Sequence, residues 1–122
     1  MKIIPLFGIA FTLFSIILGA FGAHFLKKII PETALQSFEV GVRYMIYHGL
    51  ALLVLYLMPI EDKKWTAMFF IIGTLSFSVS IFILSLQSIK RNKIKWIGFI
   101  TPIGGVLLII GWILFLLRVI VY

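Results

Sequence analysis

The sequence predicts an all-α fold: an integral membrane bundle of four antiparallel helices. Three observations carry this. Of the 122 residues, 62% are hydrophobic and 12% are charged, where soluble domains carry about 25% charged residues. Mean hydropathy is +1.20. Four apolar runs of helical length are separated by short segments that hold most of the charge. A soluble core of this size could not enclose so many Phe, Ile and Leu side chains, so the bilayer is the solvent. The chain reads as one domain without linker, internal repeat or low-complexity tail.

The first run, residues 3–26, holds 24 residues, or about 36 Å at the helical rise, enough for a hydrocarbon core of about 30 Å. A cleaved signal peptide is the competing reading. It would need a shorter apolar stretch and a small-x-small site, and Phe21 occupies the −3 position if Ala23 is −1. Gly8, Thr12, Ser15, Gly19 and Ala23 recur at spacings of 4, 3, 4 and 4, so they share one helical face. Small residues let another helix approach closely, which matters where lipid gives no hydrophobic drive for pairing.

Lys27 and Lys28 close this run, and Pro31 suits the first turn of a new helix. Leu35, Phe38, Val42 and Met45 then follow at spacings of 3, 4 and 3, an amphipathic stripe. Residues 31–42 read as a short interfacial helix or as an early extension of the second span, which runs over residues 43–58. Pro59 and the charged IEDKK segment stop it. The third span, residues 65–86, starts at Trp65, an interfacial anchor. It carries Thr74, Ser76, Ser78, Ser80 and Ser85, whose hydroxyls can return to carbonyls one turn back without lining a pore. The segment SIKRNKIK follows and is the most basic in the chain. In the fourth span, residues 96–117, Pro102 removes a backbone hydrogen bond and meets Gly98 one turn back, which eases a bend. Thr101, Gly104, Gly105, Leu108 and Gly111 gather near one face and read, with Gly98 and Pro102, as a helix-packing surface.

Four spans place Lys2, Lys63, Lys64 and Arg118 on one side, and Lys27, Lys28, Arg43, Lys90, Arg91, Lys93 and Lys95 on the other. Seven basic residues against four make the second side cytoplasmic and put both termini outside an inner (plasma) membrane. The net charge of +7 then reflects loops that meet anionic headgroups, so membrane lipids are the expected partners and nucleic acid is not.

Chemistry concentrates between Gly19 and Leu52, which holds both histidines and two of the four acids. Glu39, Arg43 and Tyr47 fall at i, i+4 and i+8, with Glu39 N-terminal to Arg43 in the favourable order for a helical ion pair. Tyr44 and His48 form a second i, i+4 pair about 100° around the helix. If the first two spans are antiparallel neighbours, His24 and His48 reach similar depth, and His24, Glu39, Arg43, Tyr44, Tyr47 and His48 form a polar cluster at the cytoplasmic end. Ionisable groups at membrane depth are functional candidates. The plainer reading is a structural clasp, with Glu39–Arg43 fixing the start of the span and the histidines satisfying carbonyls. Proton or ion handling needs a titrating histidine beside a carboxylate. Bis-histidine haem ligation needs both imidazoles on one macrocycle, for which Gly22 and Gly49 would leave room.

Three stretches resemble a known family: GAFGAH at 19–24, FEVGVRYMIYHGLALL at 38–53 and ITPIGGVLLIIGW at 100–112. They are similar, in order and in chain length, to domain-of-unknown-function family 423, the YgdD/YwdK-like small membrane proteins. Val40 and Met45 depart from the Thr and Gln commoner there and make the start of the second span less polar. The resemblance implies a four-helix membrane protein of unassigned role and brings no catalytic residues.

The absence of cysteine excludes disulfides and thiolate chemistry. HExxH, Gly-rich phosphate loops and GxSxG are missing too. Two histidines and a glutamate make a thin zinc set, so no metal and no cofactor are assigned. The expected role is non-enzymatic: an accessory, assembly or membrane-organising protein that contacts lipids and other membrane proteins or assembles as a homo-oligomer. The alternative is a small channel or transporter subunit using the His/Glu/Arg cluster. A haem-binding electron-transfer protein is third.

Overall fold

A computed structural model describes residues 2–89 and 94–121. It contains four long apolar helices: α1 (Ile3–His24), α2 (Glu32–Leu57), α3 (Lys64–Ile89) and α4 (Ile97–Val121). At 22, 26, 26 and 25 residues, each is about 33–39 Å long, enough to cross a bilayer core of about 30 Å. The helices run antiparallel in sequence. One end of the bundle holds the α1–α2 and α3–α4 connections and is the basic end. The other holds the chain termini and the α2–α3 turn.

No separate interfacial helix forms. Pro31 sits at the N-cap with extended ψ, Glu32 occupies the first turn, where the helix dipole favours an acid, and the helix continues unbroken to Leu57. The reason is the stripe itself. Leu35, Phe38 and Met45 are buried and prolong, without a change of face, the row completed by His48, Leu52 and Leu55. Residues 31–42 are thus the first turns of α2. At the other end Met58 turns extended and Pro59 follows. Asp62 adopts a positive φ of 56° in the turn, and its carboxylate accepts from the Arg118 guanidinium at 2.6 Å, tying the turn to the end of α4.

Packing proceeds in pairs: α1 lies along α2, α4 lies along α3, and α2 and α3 form the central seam. The α1–α2 crossing rests on two facing glycines. A Cβ on Gly8 would stand 2.9 Å from the Gly49 carbonyl oxygen, and one on Gly49 would stand 2.7 Å from Thr12 Oγ1. The tightest approach is between α3 and α4, where a Cβ on Gly104 would stand 2.5 Å from the Phe77 backbone nitrogen. Phe77 lies in a π-helical turn, Leu75–Val79, that interrupts α3. That turn swells the helix locally, and the smallest residue of α4 faces it.

The sequence-predicted packing residues divide. Gly8, Ser15, Gly104 and Gly111 are buried in seams, and Gly19 and Gly105 are half-buried in ordinary contact with Val42 and Phe77. Ala23, Gly98 and Pro102 are exposed, and a Cβ on Gly98 would meet nothing within 4 Å, so these three are not packing positions. Ala23 stands on the outward side of the last turn of α1. Gly98 and Pro102 lie where α4 stands away from α2. Gly41, Gly49 and Gly73 take their place: added Cβ atoms there would meet Phe82, Thr12 and Leu108 at under 3 Å.

Candidate functional site

His48 is the one ionisable side chain buried among the described residues. It lies 16 residues into α2, about 24 Å from the helix start at 1.5 Å per residue. Its Nδ1 is 2.7 Å from the Tyr44 carbonyl oxygen, and the Trp112 indole N–H of α4 donates to its Nε2 at 3.0 Å. An indole nitrogen can only donate, so Nε2 accepts and the proton resides on Nδ1, which donates to the carbonyl. Both nitrogens of a neutral ring are therefore engaged. Phe70 of α3 meets the imidazole edge-on at 5.5 Å and the Trp112 ring at 4.9 Å, and Phe115 stacks on Trp112 at 5.8 Å. This aromatic knot joins α2, α3 and α4 at mid-bundle.

The rest of the expected polar cluster is elsewhere. Glu39, Arg43 and Tyr47 do share a face of α2, but that face points outward and all three are exposed. The salt bridge found among the described residues is Arg118–Asp62, and Glu39–Arg43 does not form one. Tyr44 alone stays beside His48, with ring centroids 6.1 Å apart, and also packs on Phe77. His24 is exposed at the end of α1. Gly22 of α1 meets Phe38 of α2, whereas Gly8 meets Gly49. His48 therefore lies level with the first turns of α1, about 15 Å or more along the axis from His24. The two histidines do not share a depth, and they cannot face each other across one macrocycle. The error follows from the start of α2: with the helix beginning at Glu32, a residue near the expected span start becomes a residue at its middle.

Hydroxyls fasten the other seams. Ser78, in the π turn, donates to the Gly41 carbonyl of α2 at 2.8 Å. Ser80 donates to the Phe77 carbonyl at 2.9 Å and shares a hydrogen bond with Thr101 of α4. Ser85 Oγ, Thr74 Oγ1 and Gln87 Nε2 are buried with no partner among the described residues.

Between the basic end and the aromatic knot, α2 and α4 stand apart over α3. The cleft so formed has a volume of about 590 Å³ and is walled by Ser37 and Val40 of α2, Ile81 and Ser85 of α3, and Thr101 and Pro102 of α4. One helical turn deeper on each helix lies a second cavity of about 230 Å³, lined by Tyr44, Phe77 and Gly105 and closed by His48 and Trp112. Sequence reading found neither the cleft nor Trp112. A signal for Trp112 was present: an indole N–H at mid-span needs an acceptor, and His48 supplies one. Lys90, Arg91 and Lys93 of the basic segment lie outside the described residues.

Residues 18–105 match a family described as Protein of unknown function (DUF423). The chain belongs to this family. It is 38% identical over 120 residues to a UPF0382 membrane protein of Staphylococcus aureus, with 96% of this chain and 94% of the relative covered. The UPF0382 membrane protein YwdK of Bacillus subtilis is 35% identical over 127 residues, covering 100% and 99% of the two chains. A UPF0382 membrane protein of Schizosaccharomyces pombe is 34% identical, covering 82% and 86%. No solved structure matches. With four spanning helices and relatives named as membrane proteins, this is a multi-span membrane protein of an uncharacterised family.

Proposed function

We propose that the protein is a non-enzymatic accessory or membrane-organising subunit that works through lateral contacts in the bilayer. The observation that carries this reading is the engagement of His48: Nδ1 is held by the Tyr44 carbonyl of its own helix and Nε2 by Trp112 of α4, which leaves neither for an iron or a proton relay. The outward faces point the same way. Leu6, Leu13 and Ile17 of α1 and Ile103, Ile109 and Ile113 of α4 offer apolar surface to lipid or to another membrane protein. His48 is the one ionisable side chain buried among the described residues, so the interior supplies no string of ionisable sites for an ion. The seven-to-four imbalance of basic residues supports a plasma membrane orientation with both termini outside.

The test is site-specific photo-crosslinking in cells at natural expression level, with probes at Leu13 and Ile109, followed by native mass spectrometry. The expected result is a crosslink to a different membrane protein or to a second copy. A proton or ion flux in tight liposomes containing only this protein, abolished by Glu39→Gln, would overturn the reading in favour of a channel. A reporter active only outside the cytoplasm, fused after Tyr122, should report activity.

A further inference from the structure

The seam between α2 and α4 has the dimensions and polarity of a lipid site. From Thr33 to His48 it follows 15 residues of α2, about 22 Å. One leaflet is about 15 Å of hydrocarbon plus about 5–7 Å of headgroup layer. The seam therefore runs from headgroup level to mid-bilayer, and it stops there, because the Trp112–His48 hydrogen bond bridges α2 to α4 at 3.0 Å.

Its lining changes along that length. The mouth is lined by the hydroxyl-bearing residues Thr33, Ser37, Ser85 and Thr101. Thr101 is bonded to Ser80, and Ser37 bonds weakly back to the Thr33 carbonyl at 3.3 Å. Ser85 is 3% exposed and its Oγ has no partner among the described residues. A buried hydroxyl without a partner costs free energy, so this one is placed for an acceptor that enters from outside. One turn deeper the walls are Phe77, Gly105, Leu108 and Ile109, which offer hydrocarbon. At the end of the bundle where the mouth opens, the basic residues described, Lys27, Lys28 and Lys95, are exposed, as are the acidic Glu32 and Glu39 of α2.

The geometry points to an anionic phospholipid seated in this seam, one acyl chain over Phe77 and the ester or phosphate oxygens at Ser85 and the basic rim. A partner helix is the poorer occupant, since a spanning helix needs a seam along the full bundle height and this one closes at His48, 16 residues into the 26 of α2. The assignment deepens the lateral-contact reading and rests on it, naming the lipid class at one face.

The probes are phosphatidylglycerol and phosphatidylethanolamine of equal chain length, offered together to delipidated full-length protein in detergent and read by native mass spectrometry. Phosphatidylglycerol adducts are expected to dominate by about fivefold or more, as headgroup charge adds to burial. Gly98→Phe projects a ring into the open mouth, where a Cβ meets nothing within 4 Å. It should cut the bound fraction at least about tenfold with an unchanged melting temperature, because buried methylenes lose their place. A folded Gly98→Phe that keeps its adducts, or equal retention of the two lipids by the wild type, overturns the site.

A phosphatidylglycerol bearing a diazirine at one chain end needs no variant. Its crosslinks should map between Gly105 and Trp112 of α4, or to Tyr44 or Phe77. Crosslinks confined to the outer face of α1 overturn the site. Either failure leaves the protein-contact reading to its own crosslinking probes at Leu13 and Ile109.

Discussion

Mid-bundle and basic end treat the same two helices in opposite ways. At His48 and Trp112, one bond between side chains bridges α2 to α4 beside the Phe70 ring. Two turns away, at Thr33–Val40 and Gly98–Pro102, the facing residues are small or β-branched, and the helices part. The hydroxyls differ in the same sense. Ser78 of α3 has the Gly41 carbonyl of α2, whereas Ser85, nearer the basic end, has no partner among the described residues. In a bilayer the hydrophobic effect does not hold helices together, so seam closure depends on fitted shapes and on hydrogen bonds that find partners. Where a bond joins α2 to α4 the groove between them ends; toward the basic end, where their facing residues are small, it stays open.

The largest expected effect tests the closest approach. Gly104→Leu forces a Cβ to within 2.5 Å of the Phe77 backbone, which cannot yield as a side-chain tip would. Fluorescence-detected size exclusion should show loss of the monodisperse peak. Gly105→Ala, whose added Cβ would sit 3.7 Å from the Phe77 ring, should keep it. If the two variants behave alike, close packing at the π turn does not hold α3 to α4.

Next comes the closed part of the seam. Trp112→Phe keeps a ring but strands His48 Nε2, and should cost about 1–2 kcal/mol of stability in detergent. A double-mutant cycle with His48→Phe should return a coupling of about 0.6–1.7 kcal/mol. Zero coupling would mean that the bond does not close the seam.

At the open part the sign reverses. Ser85→Ala removes a buried hydroxyl without a partner and should raise stability in lipid-free detergent by up to about 1 kcal/mol. A loss comparable to that of Trp112→Phe would show that Ser85 has a protein partner after all.

The smallest effect is expected on the outward face of α2. Arg43→Ala should leave the melting curve within experimental scatter, since Arg43 is exposed and makes no salt bridge among the described residues. A drop of several degrees would restore the clasp role that the i, i+4 spacing with Glu39 suggests.

Much of this architecture was legible in the residues. Hydropathy reads side-chain chemistry locally, so four spans, their order and the basic end follow from counting. Period 3.6 placed Glu39, Arg43 and Tyr47 on one face and Leu35, Phe38 and Met45 on another. The start of α2 was the weak point: Glu32, Glu39 and Arg43 lower the local hydropathy, although all three are exposed, and Arg43, about 7.5 Å along the axis from His48, has a side chain long enough to reach back toward the headgroups, so they are compatible with a continuous helix. That one shift moved His48 from the basic end to the middle of the bundle and separated it from His24.

By itself, then, the sequence determined the solvent, the number of spans and the faces of each helix, because these depend on composition and on a period fixed by backbone geometry. Tertiary structure decided which faces meet. It matched Gly8 to Gly49, Gly104 to the π turn at Phe77, and Trp112 to His48, and left Ser85 beside an open cleft. Those pairings join residues far apart in the chain, at depths and rotations that local periodicity does not specify, so they exist only once the helices are packed.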